Sequence, residues 1–117
     1  MIQEYKGSCH CEKVKYKVKL NLEKTITCNC SMCHRAGSIL TLVPESDFQL
    51  EAGENKLSDY QFNKKTIHHL FCKNCGIKSF GWGRGSKGEK VYAVNVRCVK
   101  GVDIEQLTPQ RVNGKDF

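Results

Sequence analysis

The chain has 117 residues, of which 39% are hydrophobic, and a formal charge of +7. This length fits one domain, which we predict to span residues 1–117. No apolar run approaches the about 20 residues of a membrane span, and no apolar signal segment opens the sequence, so we expect a cytoplasmic chain. In that reducing compartment clustered thiols bind metal more often than they form disulfides, which makes the eight cysteines candidate metal ligands.

Short strands are predicted along most of the chain. Apolar residues alternate with lysines in the first of them, a period of two that indicates a strand with one buried face. The predicted strands cover residues 14–20, 25–28, 38–43, 48–51, 57–62, 66–71, 77–80 and 91–96. The fourth and fifth flank a turn and predict a hairpin, and Asp103 caps one helical turn that ends at Leu107. We therefore predict an all-β, antiparallel fold with at most a short helical turn.

Seven of the eight cysteines fall into three short groups. The groups are Cys9/Cys11, Cys28/Cys30/Cys33 and Cys72/Cys75. Two cysteines separated by two residues turn both sulfurs to one ion, and two cysteines that lie two apart on a strand point to the same face. The first and third groups together therefore predict a closed site of four sulfurs, which is a ligand set of structural zinc ions.

The middle group predicts a site of a different kind. Three thiolates leave one position of a tetrahedral zinc ion for water or substrate. The alternative is a second structural site in which His34, His10 or Cys98 supplies the fourth ligand. A sulfur-rich zinc ion favours a thiol substrate, and the added negative charge requires a nearby cation, for which Arg35 is the candidate.

Four motifs in chain order carry a resemblance to a known family. They are Gly7-Ser8-Cys9-His10-Cys11, Cys28-Asn29-Cys30-Ser31-Met32-Cys33-His34-Arg35, Phe71-Cys72-Lys73-Asn74-Cys75-Gly76 and Val94-Asn95-Val96-Arg97-Cys98. Together they resemble the glutathione-dependent formaldehyde-activating enzyme family, which includes centromere protein V. The resemblance implies one zinc-binding domain with an Mss4-like β-tent of antiparallel sheets. Glu12 departs from the motif, which often has glycine at this position.

The resemblance also implies two zinc ions and a reaction. It places a structural zinc ion at Cys9, Cys11, Cys72 and Cys75, and a catalytic one at Cys28, Cys30 and Cys33. The implied activity is a carbon–sulfur lyase reaction on S-hydroxymethylglutathione, whose reverse joins glutathione, the small-molecule thiol, to formaldehyde, the aldehyde.

Further residues are candidates for roles in this reaction. His34, His68 or His69 is the candidate for proton transfer. Arg84, in the glycine-rich segment 80–88, is the candidate for binding a glutathione carboxylate, and Arg35 is the second candidate for contacts to the thiol substrate. The simpler interpretation of the glycine-rich segment is a hairpin tip.

Two other functions stay open from the sequence. One is a non-catalytic zinc module that binds protein or nucleic acid, and the other is a zinc-stabilised thiol oxidoreductase that uses Cys98. For Cys98 an inert buried thiol is the simpler interpretation. Nucleic acid is the less favoured partner, because the lysines of residues 13–19 are expected to form one solvated strand face. Seven ligating thiolates and two zinc ions would also reduce the formal charge from +7 to +4. A homodimer is compatible with all of these functions.

Overall fold

The computed structural model describes residues 1–62 and 64–114. Within them the strands are β1 (Gln3–Ser8), β2 (Lys15–Leu20), β3 (Ile26–Cys28), β4 (Leu40–Pro44), β5 (Phe48–Ala52), β6 (Leu57–Tyr60), β7 (Ile67–Cys72), β8 (Phe80–Arg84), β9 (Lys90–Asn95) and β10 (Gln110–Val112). The described residues also contain one α-helix, α1 (Ser31–Ala36), and four 3-10 turns. The prediction of a mostly β fold is therefore confirmed. No helix in the described part of the chain has the length and apolar character needed to cross a membrane.

The strands form two sheets of unequal size. Three strands pair antiparallel in the order β1-β2-β5, and seven pair in the order β10-β3-β4-β9-β8-β7-β6. Every pair in the larger sheet is antiparallel except β10 with β3, which is parallel. The antiparallel prediction therefore holds for all pairs but this one.

An aromatic cluster joins the two sheets. Tyr16 on β2 stacks on Phe48 of β5 with ring centroids 5.2 Å apart, and Phe48 stacks in turn on Tyr92 of β9 at 4.1 Å. Phe80 of β8 packs edge-on against Tyr16. The buried and exposed residues of β2 alternate as predicted, with its apolar side chains buried under the larger sheet. Burial of aromatic surface is the main apolar contribution to holding the sheets together.

The predicted hairpin between residues 48–51 and 57–62 is wrong. β5 pairs with β2, where Val18 faces Phe48, whereas β6 pairs with β7, where Tyr60 faces His69. Gly53, at φ 90°, and the 3-10 turn that follows it carry the chain from the smaller sheet to the larger one. Phe48 has a buried aromatic partner on β2, and burial of this contact favours the pairing with β2 over a local hairpin.

Replacing Gly53 with alanine is expected to lower the free energy of unfolding by about 3 kcal/mol. Gly53 has φ 90°, and a Cβ atom there would overlap the carbonyl oxygen of Lys13. Gly101 is the matched control, because it has φ 81° and no atom within 4 Å of an added Cβ. Gly101→Ala should cost about 1 kcal/mol, since only the backbone penalty applies. Urea denaturation of both variants measures the difference, and equal costs would contradict the predicted overlap.

Two further differences from the predicted elements, in β1 and in residues 77–79, have local causes. β1 is an edge strand with only one buried residue, so its sequence has little apolar alternation. Residues 77–79 belong to the turn after Cys75 rather than to a strand, because the Cys72 amide donates to the Ile77 carbonyl at 3.1 Å. The glycine-rich segment forms β8 and its turn into β9. The helical turn after Asp103 is confirmed, and the Asp103 carboxylate accepts from the Glu105 amide at 3.1 Å.

Candidate metal centres

Four cysteine sulfurs meet where the β1–β2 and β7–β8 connections lie side by side. The Sγ atoms of Cys9, Cys11, Cys72 and Cys75 all lie within 4.8 Å of one another. The Cys9–Cys11 and Cys11–Cys72 sulfurs are 3.6 and 3.7 Å apart. A tetrahedral zinc ion with bonds of about 2.3 Å to sulfur requires sulfurs about 3.8 Å apart. This four-cysteine cluster therefore has the spacing of a closed S₄ metal site.

Backbone amides support the sulfurs of the four-cysteine cluster. The Val14 amide donates to Cys9 Sγ and the Asn74 amide donates to Cys72 Sγ, each at 3.4 Å. A hydrogen bond from the Asn74 side chain lowers the pKa of Cys11 to about 6, so this sulfur favours the thiolate form that a metal binds. Burial raises the pKa of Cys9 to about 11, which makes a cation the natural partner for its ionised form.

Glu12 adopts the conformation that the usual glycine would adopt. Its φ is 64°, in the left-handed region where a non-glycine residue costs roughly 1–2 kcal/mol. Its carboxylate accepts a hydrogen bond from Lys100 Nζ at 3.0 Å, an exposed ion pair that offsets part of that cost. With Glu12 in this conformation, Cys9 and Cys11 both reach the four-cysteine cluster.

A second cluster contains three cysteines. The Sγ atoms of Cys28, Cys30 and Cys33 lie within 4.8 Å of one another, and no fourth His, Cys, Asp or Glu side chain of residues 1–62 and 64–114 joins them. His10, His34 and Cys98 are therefore outside this three-cysteine cluster. Cys28 ends β3, and Cys30 caps α1 by accepting a hydrogen bond from the Cys33 amide at 3.3 Å.

The helix α1 places Cys33 beside the other two sulfurs. The sequence analysis did not predict this helix. Its N-cap is a cysteine rather than one of the usual Ser, Thr, Asp or Asn residues, so the start signal is missing from the sequence. Burial raises the pKa of the Cys33 thiol to about 12, with a further increase from its hydrogen bond to Cys30. A thiol in this position ionises readily only beside a cation, which fits a metal-binding role for the three sulfurs.

An open cavity of about 540 Å³ lies beside the three-cysteine cluster. Cys28, Cys33 and His34 line it, together with residues 37–39 that precede β4, Arg97 and the C-terminal segment that includes Arg111. The C-terminal segment also touches the cluster, because a Cβ atom added at Gly114 would overlap the Cys28 sulfur. The sequence analysis missed this segment, since it contains no cysteine and no motif.

Lys78 is the charged residue that the structure adds to the site. Burial lowers the pKa of the Lys78 ammonium group, while the charges of Cys33, Cys30 and Cys28 act in the opposite direction. The ammonium group is thus within electrostatic range of the three-cysteine cluster, where it offsets thiolate charge. In the sequence Lys78 is a single lysine three residues after Cys75, and only the fold brings it near Cys28, Cys30 and Cys33.

The two arginines expected at the site lie elsewhere. Arg35 is exposed, does not line the cavity, and donates from Nη1 to the Ser31 carbonyl of its own helix at 3.0 Å. Arg84 is exposed at the end of β8 and does not line the cavity. Its guanidinium group lies 5.3 Å from the centre of the Trp82 ring. Neither arginine is brought to the cavity.

Of the three candidate histidines, only His34 lines the cavity. His68 Nδ1 is 2.6 Å from Asp59 Oδ2, and the His68 ring stacks on Trp82 with centroids 4.0 Å apart. His69 is 5% exposed and stacks on Phe62. Burial, with a contribution from the Lys78 charge, lowers the pKa of His69 to about 4, so this ring is neutral at pH 7.

Replacing His69 with phenylalanine is expected to flatten the pH dependence of stability between pH 7 and pH 5. The pKa of His69 is lowered to about 4 in the folded chain, so the unfolded chain takes up the proton first as pH falls. The wild-type protein should therefore lose about 1–2 kcal/mol more than His69→Phe over this interval. Urea denaturation at pH 7, 6 and 5, with zinc content checked at each pH, measures this, and parallel losses would contradict it.

Cys98 lies outside both clusters in the described residues. It is half-buried in the 3-10 turn Val96–Cys98, and burial raises its pKa, against a smaller effect of a hydrogen bond to Ser79. A raised pKa lowers the fraction of reactive thiolate, which disfavours a nucleophilic role.

Together these features define a small β protein with one closed four-cysteine cluster and one three-cysteine cluster beside an open cavity. The sequence model of the glutathione-dependent formaldehyde-activating enzyme matches residues 4–112, and the chain belongs to this family. An uncharacterized lyase of Schizosaccharomyces pombe is 24% identical over 100 residues, which cover 86% of this chain and 72% of that protein. A crystal structure of a Rhodobacter sphaeroides protein superposes with a TM-score of 0.80 at 33% identity, covering 91% of this chain and 97% of that one.

Proposed function

We propose that the chain is a zinc-dependent carbon–sulfur lyase that acts on thiol–aldehyde adducts such as S-hydroxymethylglutathione. The observation that carries the proposal is the three-cysteine cluster beside an open cavity, in contrast to the four-cysteine cluster, where sulfur can fill every position. Membership of the family and the lyase name of the yeast relative support the same reaction class.

Under this proposal the four-cysteine cluster holds a structural zinc ion, and Cys28, Cys30 and Cys33 hold a second. Thiolate sets of this kind suit zinc, and the sulfur spacings of the four-cysteine cluster match its bond lengths. When bound at three thiolates, zinc supplies a Lewis acid that lowers the pKa of a thiol. Because the seven ligating cysteines must stay reduced, the proposal also places the chain in the cytoplasm.

The chain's own residues would bind the adduct and handle its proton. Cleavage breaks the carbon–sulfur bond, removes the hydroxyl proton to leave formaldehyde, and returns a proton to the thiol. His34 lines the cavity and is the side chain we assign to accept the hydroxyl proton. Lys78 would offset negative charge on sulfur as the bond breaks, in the role first assigned to Arg35.

No specific observation favours the other two functions. The raised pKa of Cys98 disfavours a thiol oxidoreductase. The β2 lysines Lys15, Lys17 and Lys19 lie on the strand face opposite the buried residues, and the one aromatic residue of β2, Tyr16, is buried on the other face, which disfavours a nucleic-acid platform.

Exchange NMR tests the proposal directly. The zinc-loaded protein should accelerate the interconversion of S-hydroxymethylglutathione with glutathione and formaldehyde above the spontaneous rate, and the His34 and Ile39 signals should shift on titration. A control without protein measures the spontaneous rate. Unchanged exchange, together with unchanged signals at millimolar glutathione, would contradict the proposal.

A further inference from the structure

We propose that Arg97 and Arg111 bind a carboxylate of the thiol substrate at the cavity beside Cys28 and Cys33. This inference rests on the proposed function for the thiol end of the substrate. It adds the two residues that bind a carboxylate of that thiol and select for thiols that carry this group.

The charges around the cavity are one-sided. Its described lining contains the guanidinium groups of Arg97 and Arg111 and no Asp or Glu side chain, in a chain with 12 acidic residues. Neither arginine forms an ion pair with a carboxylate in the described part of the chain. Two guanidinium groups at one cavity, with no carboxylate partner among residues 1–62 and 64–114, favour an anionic ligand.

Two hydrogen bonds hold Arg97 in place without using its two Nη groups. The Asn95 side chain accepts from the Arg97 amide at 3.2 Å, and Arg97 Nε donates to the Gly37 carbonyl at 3.0 Å. The Gly37 amide in turn donates to the Cys33 carbonyl at 3.0 Å, so the guanidinium group is tied to the helix that carries Cys33. Its two Nη groups donate no hydrogen bond to residues 1–62 and 64–114, so both can bind one carboxylate bidentately.

Arg111 reaches the same cavity from the C-terminal strand. β10 runs parallel to β3, with Arg111 beside Thr27 and Val112 beside Cys28. The Asn29 side chain donates to the Asn113 side chain at 2.8 Å, which ties the end of β10 to the cysteine loop. Arg111 is thus one residue away from the level of Cys28, and both arginines line the cavity that adjoins the cysteines.

A purely structural role for Arg97, as the residue that binds the end of α1, makes a different prediction. It would affect stability and all ligands equally. The proposed role affects only ligands that carry a carboxylate, so a comparison of ligands separates the two.

Three ligands separate the contribution of the thiol from that of the carboxylates. Glutathione has a thiol and carboxylates, its diethyl ester has the thiol alone, and S-methylglutathione has the carboxylates without a free thiol. Isothermal titration of each into the zinc-loaded protein gives dissociation constants without reference to turnover. The variants are Arg97→Gln and Arg111→Gln, and the matched controls are Arg35→Gln and Arg84→Gln, which alter exposed arginines outside the cavity.

We expect the wild-type protein to bind glutathione about tenfold more tightly than the diethyl ester. Each cavity variant should reduce this ratio about threefold to fivefold while leaving the affinity for the ester and the zinc content unchanged. The two control variants should keep the wild-type ratio. Because the Arg111 side chain makes no hydrogen bond to the described residues equivalent to that of Arg97 Nε, Arg111→Gln tests the inference even if Arg97→Gln perturbs folding.

The failures are distinguishable. If the ester binds as tightly as glutathione, or if the cavity variants keep the wild-type ratio, the carboxylate site is wrong and the thiol chemistry stands. If glutathione and S-methylglutathione bind equally and both respond to the cavity variants, the carboxylate site stands and the thiol–metal proposal fails. If none of the three ligands binds, both proposals fail.

Discussion

Replacing Cys72 with serine is expected to leave the chain unfolded at 25 °C and without the zinc ion proposed for the four-cysteine cluster. Cys72 is 1% exposed, and its sulfur lies 3.7 Å from that of Cys11 across the two connections that the cluster joins. A structural zinc site contributes on the order of 10 kcal/mol to folding, which is comparable to the whole stability of a domain of this size. Circular dichroism and zinc analysis of the purified variant measure both losses.

Cys98→Ser is the matched control for this prediction. Cys98 is also partly buried but belongs to neither cluster, so its replacement should cost about 1 kcal/mol or less and retain both zinc ions. A folded Cys72→Ser protein with an unchanged melting temperature would show that the four-cysteine cluster does not hold the fold together.

Replacing Cys28 with serine is expected to remove one zinc ion and to reduce the lyase rate at least about 100-fold, with the fold retained. Cys28 lies at the end of β3, where its neighbours are α1 and β10 rather than the aromatic cluster between the sheets. Loss of one of three protein ligands therefore affects the metal and the cavity more than the core. Zinc stoichiometry, circular dichroism and exchange NMR on the same sample measure the three properties.

Two other outcomes of the Cys28→Ser experiment would contradict this prediction. If Cys28→Ser unfolds the chain as Cys72→Ser does, the three-cysteine cluster is a second structural site. If it loses a zinc ion and keeps the wild-type rate, the cluster is not where the reaction occurs.

The sequence was sufficient for the grouping of the cysteines and for most strands. Two sulfurs separated by one or two residues are constrained by the backbone to approach one point, so local spacing is enough to predict the members of each short cysteine group. That Cys9 and Cys11 meet Cys72 and Cys75 depends on the packing of connections that are about 60 residues apart in the chain. The alternation in residues 14–20 predicted β2 for a similar reason, because a strand with one buried face requires a period of two.

Local sequence patterns were insufficient to predict which strands pair with one another. β5 and β6 flank a turn and read as a hairpin, yet Phe48 packs between Tyr16 and Tyr92, and this burial takes β5 to the other sheet. The parallel pairing of β10 with β3 joins residues more than 80 positions apart, which no local period can indicate.

The surroundings of the candidate site were likewise decided by the tertiary structure. Proximity in sequence and motif context predict Arg35 and Arg84 at the site, but Arg35 binds a carbonyl group of its own helix, Arg84 lies at the exposed end of β8, and neither lines the cavity. Lys78, Arg97 and Arg111 come from three separate segments and meet at the three-cysteine cluster only in the folded chain.

The sequence by itself therefore determined the identity of the candidate metal ligands, because ligand geometry is set over a few bonds of the backbone. The tertiary structure alone decided which charged groups and which cavity-lining residues surround the three-cysteine cluster. Electrostatic and cavity contacts act through space over distances unrelated to chain separation, so they depend on how the two sheets and the C-terminal strand pack.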